Sequence, residues 1–494
     1  MSNLKRGVLG SVLLVGESFL NKAVGLVSTV ILARVLLPED FGIVAIAMLT
    51  VGFFQVLSDT GATQYLLRAE SINDAEVNTS WTINIIIRAV LCLAIYGASF
   101  YIADYYDDPR LKSLITILSL IFFAQAWQNP GIIFLRRNQE FGSIVKVSIV
   151  GKLFAVTSAV VIAVYFKSYW ALVAGLATGA LANLVGYYVI HSYRPSFELT
   201  NAKKQWAFSG WMIPQAILGY FRTQLDTFLV SSVFGKADLG SYHTMKYIAF
   251  IPSSHLIVPM TETFLVEMRK AAAEGQNFYN VFSASLLLAL LIAAPIAAFL
   301  LYFHESATLL LLGNNWVDYS QLLAAFGLLI PAATIHRHCC RTIIIHNKPK
   351  HILFYEIGTF ILIYSVLFLV GLGDLLLFTY LRVGMEQFLC LGFLIYVSLK
   401  YTDVITTLKL FLGISSITIA CVFAIFTVSF IPDFSTYLII NFIIFSICFF
   451  ITFYICFFIL FIVFLSRFSE WQFISSLLAR LIMSLINSLS RKLG

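Results

Sequence analysis

Apolar stretches long enough to cross a lipid bilayer recur along nearly the whole of this chain of 494 residues. A transmembrane helix needs roughly 20 mostly apolar residues, because the hydrocarbon core is about 30 Å thick. Only 12% of the residues are charged and 60% are hydrophobic, whereas a soluble domain carries roughly 25% charged residues. Since backbone amides in hydrocarbon must be bonded internally, we expect an all-α polytopic membrane protein.

Hydropathy predicts fourteen spans with short connections between them. They lie near residues 8–33, 41–66, 80–102, 113–135, 144–166, 169–191, 207–233, 239–265, 280–303, 319–340, 352–373, 375–399, 410–431 and 436–465. The boundary within 352–399 is the weakest, because only Gly371, Gly373 and Asp374 mark a break there. The seven cysteines all fall within or at the ends of spans. They are expected to be small buried residues rather than a disulfide framework.

An internal repeat relates two parts of the chain. Residues 29–42 read TVILARVLLPEDFG and residues 227–240 read TFLVSSVFGKADLG, so a shift of 198 residues aligns Asp40 with Asp238 and Gly42 with Gly240. Membrane proteins built from two copies of one helical unit are typically transporters. The predicted organisation is an N-lobe over 1–200, a C-lobe over 201–400, two extra helices over 401–466 and a cytoplasmic amphipathic tail over 467–494.

Basic residues are distributed unevenly over the predicted connections. The N-terminus, the even-numbered connections and the tail hold 20 of the 32 Lys and Arg residues, whereas the odd-numbered connections hold five. The positive-inside rule then predicts that both termini are cytoplasmic. Because six spans is an even number, both repeats enter the membrane from the same side and form a parallel repeat.

Thirteen charged residues fall inside predicted spans. Each costs roughly 2.5–3.5 kcal/mol or more at a helix centre facing lipid, so they should face protein or an aqueous cavity. The candidates for a cationic, substrate-binding cavity are Lys22, Arg88, Lys152, Arg222, Lys246 and Arg382. The candidates for ion coupling or internal pairing are Glu17, Asp59, Asp226, Glu262, Glu356 and Glu386.

Two of these basic residues have an acidic residue one helical turn away. Arg222 and Asp226 are spaced i, i+4, as are Arg382 and Glu386, and such pairs lie on one helical face. Internal ion pairs explain these four residues as well as a binding site does. Lys22, Arg88, Lys152 and Lys246 have no acid at i±3 or i±4, which favours a partner on another helix or a bound anion.

Enzymatic motifs are absent from the sequence. Gly151-Lys152 lacks the upstream glycine of a phosphate-binding loop, and neither H-E-x-x-H nor G-x-S-x-G occurs. His336, His338, Cys339 and Cys340 are close in sequence at the end of one span, but a metal site there is not predicted. We expect no enzyme activity, cofactor, metal or nucleic-acid partner.

Several segments resemble a known family. They are ILARVLLPEDFGIVAIAM, LSDTGATQYLLR, PGIIFLRRNQEFGSIVKVSIVGKL and LLGNNWVDYSQLLAAFGLL, together with the second copy of the repeat. Over about residues 4–400 the chain is similar to Wzx-type polysaccharide flippases, of the subgroup that includes the colanic acid exporter. One departure is ETFLVEMRKA, where family members often carry a Phe-Pro pair.

The resemblance implies the multidrug/oligosaccharidyl-lipid/polysaccharide exporter fold in a bacterial inner membrane. It also implies transport of an undecaprenyl-pyrophosphate-linked oligosaccharide by alternating access, for the synthesis of cell-surface polysaccharide. Membrane lipids, a polysaccharide polymerase and a chain-length regulator are the implied partners. A cation-coupled multidrug exporter and a membrane enzyme of glycan assembly are the alternatives. The slight excess of basic residues inside the spans disfavours the first, and the lack of a long external loop disfavours the second.

Overall fold

The computed structural model describes residues 3–461 except 69–71, 275–277, 347, 349, 371–372, 403 and 432–437. The side chains of residues 3–12 and of some residues near 204–222 and 259–274, Arg222 and Glu262 among them, also lie outside the described part. The predicted tail over 467–494 lies outside it as well. The described residues form helices and turns without strands, which confirms the all-α prediction.

The chain forms two compact units, Met1–Thr244 and Met245–Gly494. The helices up to the unit boundary are α1 Asn3–Val35, α2 Pro38–Leu57, α3 Ala62–Arg68, α4 Asp74–Tyr105, α5 Arg110–Ala124, α6 Ile132–Arg137, α7 Phe141–Phe166, α8 Trp170–Ile190, α9 Ala202–Val233 and α10 Lys236–Pro252, the last of which crosses it. A π-helical turn, Ser253–Ile257, follows. The helices beyond it are α11 Val258–Glu274, α12 Phe278–Leu311, α13 Ser320–Ile345, α14 Lys350–Val370, α15 Leu375–Tyr401, α16 Val404–Val428 and α17 Leu438–Leu460.

Twelve helical segments of the described chain are long and apolar enough to cross a membrane. The predicted count of fourteen spans is therefore not confirmed. The other two predicted spans, near 207–233 and 239–265, fall on α9 and on the run from α10 to α11. Both are helical but more polar than the rest, because they carry charged residues such as Arg222, Asp226 and Glu262.

The weak boundary predicted within 352–399 occurs where the sequence places it. Helix α14 ends at Val370 and α15 begins at Leu375. Asp374 is the N-cap of α15, and its carboxylate accepts a hydrogen bond of 2.7 Å from the backbone N–H of Leu377.

Small residues allow α7 and α8 to pack closely in the first unit. A methyl group added at Gly175 would lie 3.0 Å from both the Ala155 carbonyl oxygen and the Ala159 side chain. Ser158 and Thr178 share a hydrogen bond of 2.6 Å across the same contact. Within a membrane the hydrophobic effect does not drive helices together. Close packing of small residues and hydrogen bonds between hydroxyl groups stabilise their association instead.

Aromatic rings fill much of the core of the second unit. Phe299 and Phe303 of α12 lie 5.7 and 6.2 Å from Phe442 of α17, measured between ring centroids. Phe449, one of the largest fully buried side chains, lies 5.8 Å from Phe299. Helix α12 bends at Phe303, whose backbone angles are non-helical.

Candidate functional site

The two copies of the sequence repeat begin their second helices with the same capping contact. In α2 the Asp40 carboxylate accepts a hydrogen bond of 3.0 Å from the backbone N–H of Leu37. In α10 the Asp238 carboxylate accepts one of 3.2 Å from the backbone N–H of Gly235. Both pairs of positions are related by the shift of 198 residues. The repeated aspartate thus satisfies an amide that the start of each helix would leave unbonded.

The repeated glycines bring the starts of these two helices into direct contact. A methyl group at Gly42 would overlap the carbonyl oxygen of Lys236, and one at Gly240 would overlap that of Pro38. Pro38 and Lys236 are themselves equivalent in the repeat. The contact is therefore reciprocal, as expected for two copies related by a rotation axis that passes between them.

An ionic cluster surrounds this contact. Asp108, which is only 3% exposed, lies 2.7 Å from the Lys236 ammonium and 2.9 Å from the Arg110 guanidinium. Arg110 also reaches Glu39 at the start of α2, at 2.7 Å. Burial opposes ionisation of Asp108, but the hydrogen bonds from Arg110 and Lys236 outweigh it and lower the pKa of that carboxyl to about 2. Tyr106 and Ser231 share a further hydrogen bond of 2.8 Å nearby.

A polar cavity of about 670 Å³ lies in the first unit near the C-terminal end of α2. Its walls come from α2, α3, α4, α6, α8, α9 and the 125–130 segment. Two guanidinium groups, five amide side chains, one carboxylate and three large aromatic side chains contribute to the lining: Arg88, Arg136, Gln55, Asn84, Gln125, Gln128, Asn129, Asp59, Trp81, Tyr187 and Tyr220. A cavity of this size and chemistry can take a hydroxyl-rich or anionic ligand.

Arg88 is the basic residue that projects from within a predicted span into this cavity. Its Nη1 donates a hydrogen bond of 3.1 Å to the Phe122 carbonyl oxygen, and its guanidinium carbon lies 4.8 Å from the centroid of the Phe122 ring. Its buried Nε atom has no hydrogen-bond partner among the described residues. A neighbouring helix thus fixes the orientation of Arg88, and the Phe122 carbonyl oxygen does not satisfy all of its donors.

One side of the cavity is anchored by Asn129, which is 2% exposed. Its side-chain amide donates hydrogen bonds of 3.1 and 3.0 Å to the carbonyl oxygens of His191 and Tyr193. Its side-chain oxygen accepts one of 2.9 Å from the Gly131 N–H. The Asn129 side chain thus links the segment before α6 to the linker after α8 through hydrogen bonds.

Of the twelve predicted site residues, Arg88 and Asp59 both line the polar cavity. Lys22 is exposed on α1 and Lys152 is half-buried on α7, and neither is part of its lining. Glu17 accepts a hydrogen bond of 3.4 Å from Asn21. Asp226 is fully buried and accepts one of 2.9 Å from the Tyr242 hydroxyl, as expected of an internally bonded carboxylate.

The remaining predicted site residues belong to the second unit or lie outside the described side chains. Glu356 is 3.1 Å from His336, which is the internal pairing considered for it. Lys246, Arg382 and Glu386 are half-buried. Arg222 and Glu262 lie outside the described side chains. Pairing of Arg222 with Asp226 and of Arg382 with Glu386 therefore stays a prediction.

The local histidine and cysteine cluster separates into two groups. His338 contacts the Phe282 carbonyl oxygen at 3.0 Å, and Cys339 is fully buried. The donor atoms of His336 and Cys340 lie with that of Glu356 within 4.8 Å of one another. Because the His336–Glu356 pair and the 3.5 Å contact of His336 with Cys340 already engage these groups, the absence of a metal stays the prediction for this site.

Most of the residues that line the polar cavity, and all of those in the ionic cluster, were not predicted from the sequence. The five amides carry no charge, so nothing in a charge count marks them. Arg136, Lys236 and Arg110 all lie between the predicted spans, so a count of charges inside the spans leaves them out. The internal repeat is the sequence signal that could have indicated the ionic cluster, because PEDFG and GKADLG mark the two helix starts beside it.

Comparisons with known proteins agree with this architecture. A family described as polysaccharide biosynthesis protein matches residues 31–321. The chain is 25% identical over 344 residues to the lipopolysaccharide biosynthesis protein WzxC of Escherichia coli (strain K12), which covers 67% of each chain. It is 25% identical over 330 residues to the succinoglycan biosynthesis transport protein ExoT of Rhizobium meliloti (strain 1021), covering 65% of this chain and 67% of the relative.

A solved structure supports the fold independently. The lipid II flippase MurJ, in an inward closed conformation, matches with a TM-score of 0.69 at 14% identity, over 90% of this chain and 98% of that one. At this identity the likeness shows the fold, and it confirms the predicted exporter fold. The family match covers more than half of the sequence. The chain therefore belongs to the polysaccharide biosynthesis protein family, as its resemblance to the Wzx-type flippases predicts.

Proposed function

We propose that this protein is a flippase that moves a lipid-linked oligosaccharide from the inner to the outer leaflet of a bacterial inner membrane. The polar cavity is the observation that carries the proposal. Amide side chains donate to and accept from sugar hydroxyls, and guanidinium groups bind phosphate with two parallel hydrogen bonds. Five amides and two guanidinium groups line one cavity within an otherwise apolar helical protein.

The physical need for such a cavity follows from the cargo. A pyrophosphate and a glycan would each lose their hydration in hydrocarbon without any compensating bonds, which costs many kcal/mol. The protein must therefore supply a polar path. Relatives are named as biosynthesis, transport or flippase proteins, and this supports transport rather than enzymatic chemistry.

The predicted orientation supports an assignment of sides. If the N-terminus is cytoplasmic, α2 runs inward, so its C-terminal end and the polar cavity face the cytoplasmic half of the membrane. The contact between the starts of α2 and α10 then lies on the periplasmic side. In this proposal the structure represents a state closed to the periplasm, and transport requires the Gly42–Gly240 contact and the ionic cluster to separate.

The proposed lobes over 1–200 and 201–400 would move against each other in this cycle. Arg88 and Arg136 would hold the pyrophosphate, and the amides would contact the sugars. Lys22, Lys152, Arg222, Lys246 and Arg382 remain proposed cationic positions along the path. A polysaccharide polymerase and a chain-length regulator are the proposed partners that would receive the cargo after its release.

Transport by purified protein in liposomes tests the proposal. We expect the protein to move fluorescent undecaprenyl-pyrophosphate-linked oligosaccharide across the bilayer, as measured by protection from an added quencher. Arg88→Gln should lower the initial rate about tenfold or more, because one charge-assisted hydrogen bond contributes about 1.5–3 kcal/mol. Lys112→Gln is the matched control, since Lys112 is exposed and its ammonium lies over the Phe100 ring away from the cavity.

The same liposomes separate the competing assignments. Lys152→Gln tests the residue that sequence alone favours: a loss confined to Lys152→Gln would contradict the cavity as the binding site. Organic cations should not be transported, because Asp59 is the one carboxylate among the described residues that line the cavity. Export of such cations without transport of the glycolipid would favour the multidrug exporter.

A further inference from the structure

A second cavity of about 500 Å³ in the first unit has the opposite chemistry to the polar cavity. It is lined mainly by carbon, with Leu49, Phe53, Tyr101, Tyr105, Leu225 and Phe228 among its walls. We call it the apolar chamber. The same three helices, α2, α4 and α9, contribute to both cavities.

Tyr220 separates the two cavities and lines both of them. Its hydroxyl donates a hydrogen bond of 2.6 Å to the Leu49 carbonyl oxygen, and its ring centroid lies 6.0 Å from that of Phe53. Gly52 leaves room for this ring, because a methyl there would lie 3.3 Å from the Tyr220 hydroxyl oxygen. The side chain thus forms a thin partition rather than a thick wall.

The side chains that α4 contributes to the two cavities change from polar to aromatic along the helix. On α4, Asn84 and Arg88 line the polar cavity, whereas Tyr101 and Tyr105 line the apolar chamber. At 1.5 Å per residue, the step from Arg88 to Tyr101 is about 20 Å along the axis. A polar site and an apolar site are therefore arranged end to end along α4.

Several polar side chains that line the chamber are already hydrogen-bonded within the protein, and Gln224 supplies an amide side chain to the lining. Thr50 donates to the Ile46 carbonyl oxygen at 3.0 Å, and Ser231 donates to the Phe228 carbonyl oxygen at 2.7 Å. The Tyr106 hydroxyl is bonded to Ser231. A sugar in the chamber would lose hydration and find few partners for its many hydroxyls, whereas a hydrocarbon chain would lose nothing.

We propose that the apolar chamber binds the isoprene units nearest the phosphate in the polyprenyl chain of the lipid-linked substrate, while the polar end of that substrate occupies the polar cavity. The proposal rests on the proposed function for the identity of the amphiphile. The position of the two cavities on either side of the thin Tyr220 partition argues for one ligand whose two ends occupy them. An ordinary phospholipid chain is the competing occupant, and the experiment distinguishes the two.

Photocrosslinking tests the proposal without any transport step. The probe is a polyprenyl phosphate with a diazirine in its chain, added to the full chain in phosphatidylcholine nanodiscs, and mass spectrometry identifies the labelled peptides. We expect labelling of α2 near Leu49 and of α9 near Phe228. Unlabelled polyprenyl phosphate should reduce it at least fivefold, whereas an equal amount of phosphatidylglycerol should not.

Two variants and a control make the outcome decisive. Leu225→Trp fills the chamber and should lower labelling at least threefold, while Phe228→Ala enlarges it and should keep or increase labelling. Phe154→Trp is the control, because Phe154 is 60% exposed on α7 and outside the chamber. Labelling spread evenly over α7 and α9, or equal competition by phosphatidylglycerol, would overturn the proposal. Specific labelling by a protein inactive in liposomes would instead count against the proposed function alone.

Discussion

Alanine at Gly240 is the sharpest test of the contact between the starts of α2 and α10. A methyl there would overlap the Pro38 carbonyl oxygen and lie 2.6 Å from the Gly42 nitrogen, whereas ordinary contact begins at 3.4 Å. Both atoms belong to the backbone, so no side chain can rotate away. The overlap with the Pro38 oxygen is the closer of the two, so the helix starts would have to separate by more than about 0.8 Å, which is the difference between 2.6 and 3.4 Å.

This substitution has two opposing effects on stability, so the sign of the change in the free energy of unfolding is informative. Helix propensity alone predicts stabilisation by about 0.8–1.0 kcal/mol, because alanine loses less backbone entropy than glycine. Overpacking of a rigid contact costs about 1–3 kcal/mol. Displacement would also weaken the ionic cluster, which includes Lys236 and Glu39. We therefore expect net destabilisation of about 1–2 kcal/mol.

Thermal unfolding of the purified protein measures the effect. Gly97→Ala is the matched control, because Gly97 lies within α4 and a methyl there meets nothing within 4 Å. We expect Gly240→Ala to lower the unfolding midpoint and Gly97→Ala to keep or raise it. Gly42→Ala combined with Gly240→Ala should cost less than the sum of the two, because both act on one contact. A midpoint that rises with Gly240→Ala would refute the contact.

Three further predictions concern other parts of the first unit. The pKa of Asp108 is about 2, below its usual 3.8, so its contribution of about 2 kcal/mol is complete above pH 4 and is lost as the pH falls towards 2. Asp108→Asn should thus destabilise the protein at pH 7 and flatten the acid-unfolding profile below pH 4, whereas Asp104→Asn, on an exposed side chain, should do neither. Asn129→Ala should lower the free energy of unfolding by about 2–4 kcal/mol in denaturant titrations, because it strands the buried Gly131 amide and linker carbonyls, and an effect no larger than that of Gln128→Ala would contradict this. Gly175→Val should cost about 1–3 kcal/mol by overpacking α7 against α8, and an unchanged unfolding midpoint would count against that close packing.

Hydropathy predicts most of the helices well because the membrane requires apolar side chains. A membrane-spanning helix must be apolar over roughly 20 residues, so α1, α2, α4, α5, α7, α8 and α12 to α17 are visible from composition alone. The α9 and α10 helices are the difficult case. They combine polar positions with close internal contacts such as Asp226 with Tyr242, and composition cannot distinguish an internally bonded carboxylate from one that faces solvent.

The candidate site was harder to predict than the fold. Intramembrane charge predicts a polar interior without saying where it lies: Arg88 and Asp59 line the polar cavity, whereas Lys22 and Lys152 do not. Which face of a helix meets a cavity depends on the tertiary packing of several helices, and span position does not contain that information. The amides Gln55 and Asn84 gave no signal, because neutral polar residues are common in membrane helices with structural roles.

The self-contained caps of α2 and α10 have a consequence for how easily these helices part. The Leu37 and Gly235 amides are each bonded within their own turn, to Asp40 and Asp238. Parting the two glycine-lined surfaces would therefore leave neither of these amides exposed without a partner. The cost of parting is then the lost van der Waals contact and the broken ion pair of Lys236 with Asp108, which rehydration of the two charges partly offsets. In the proposed transport cycle, such a contact would close tightly and still open reversibly.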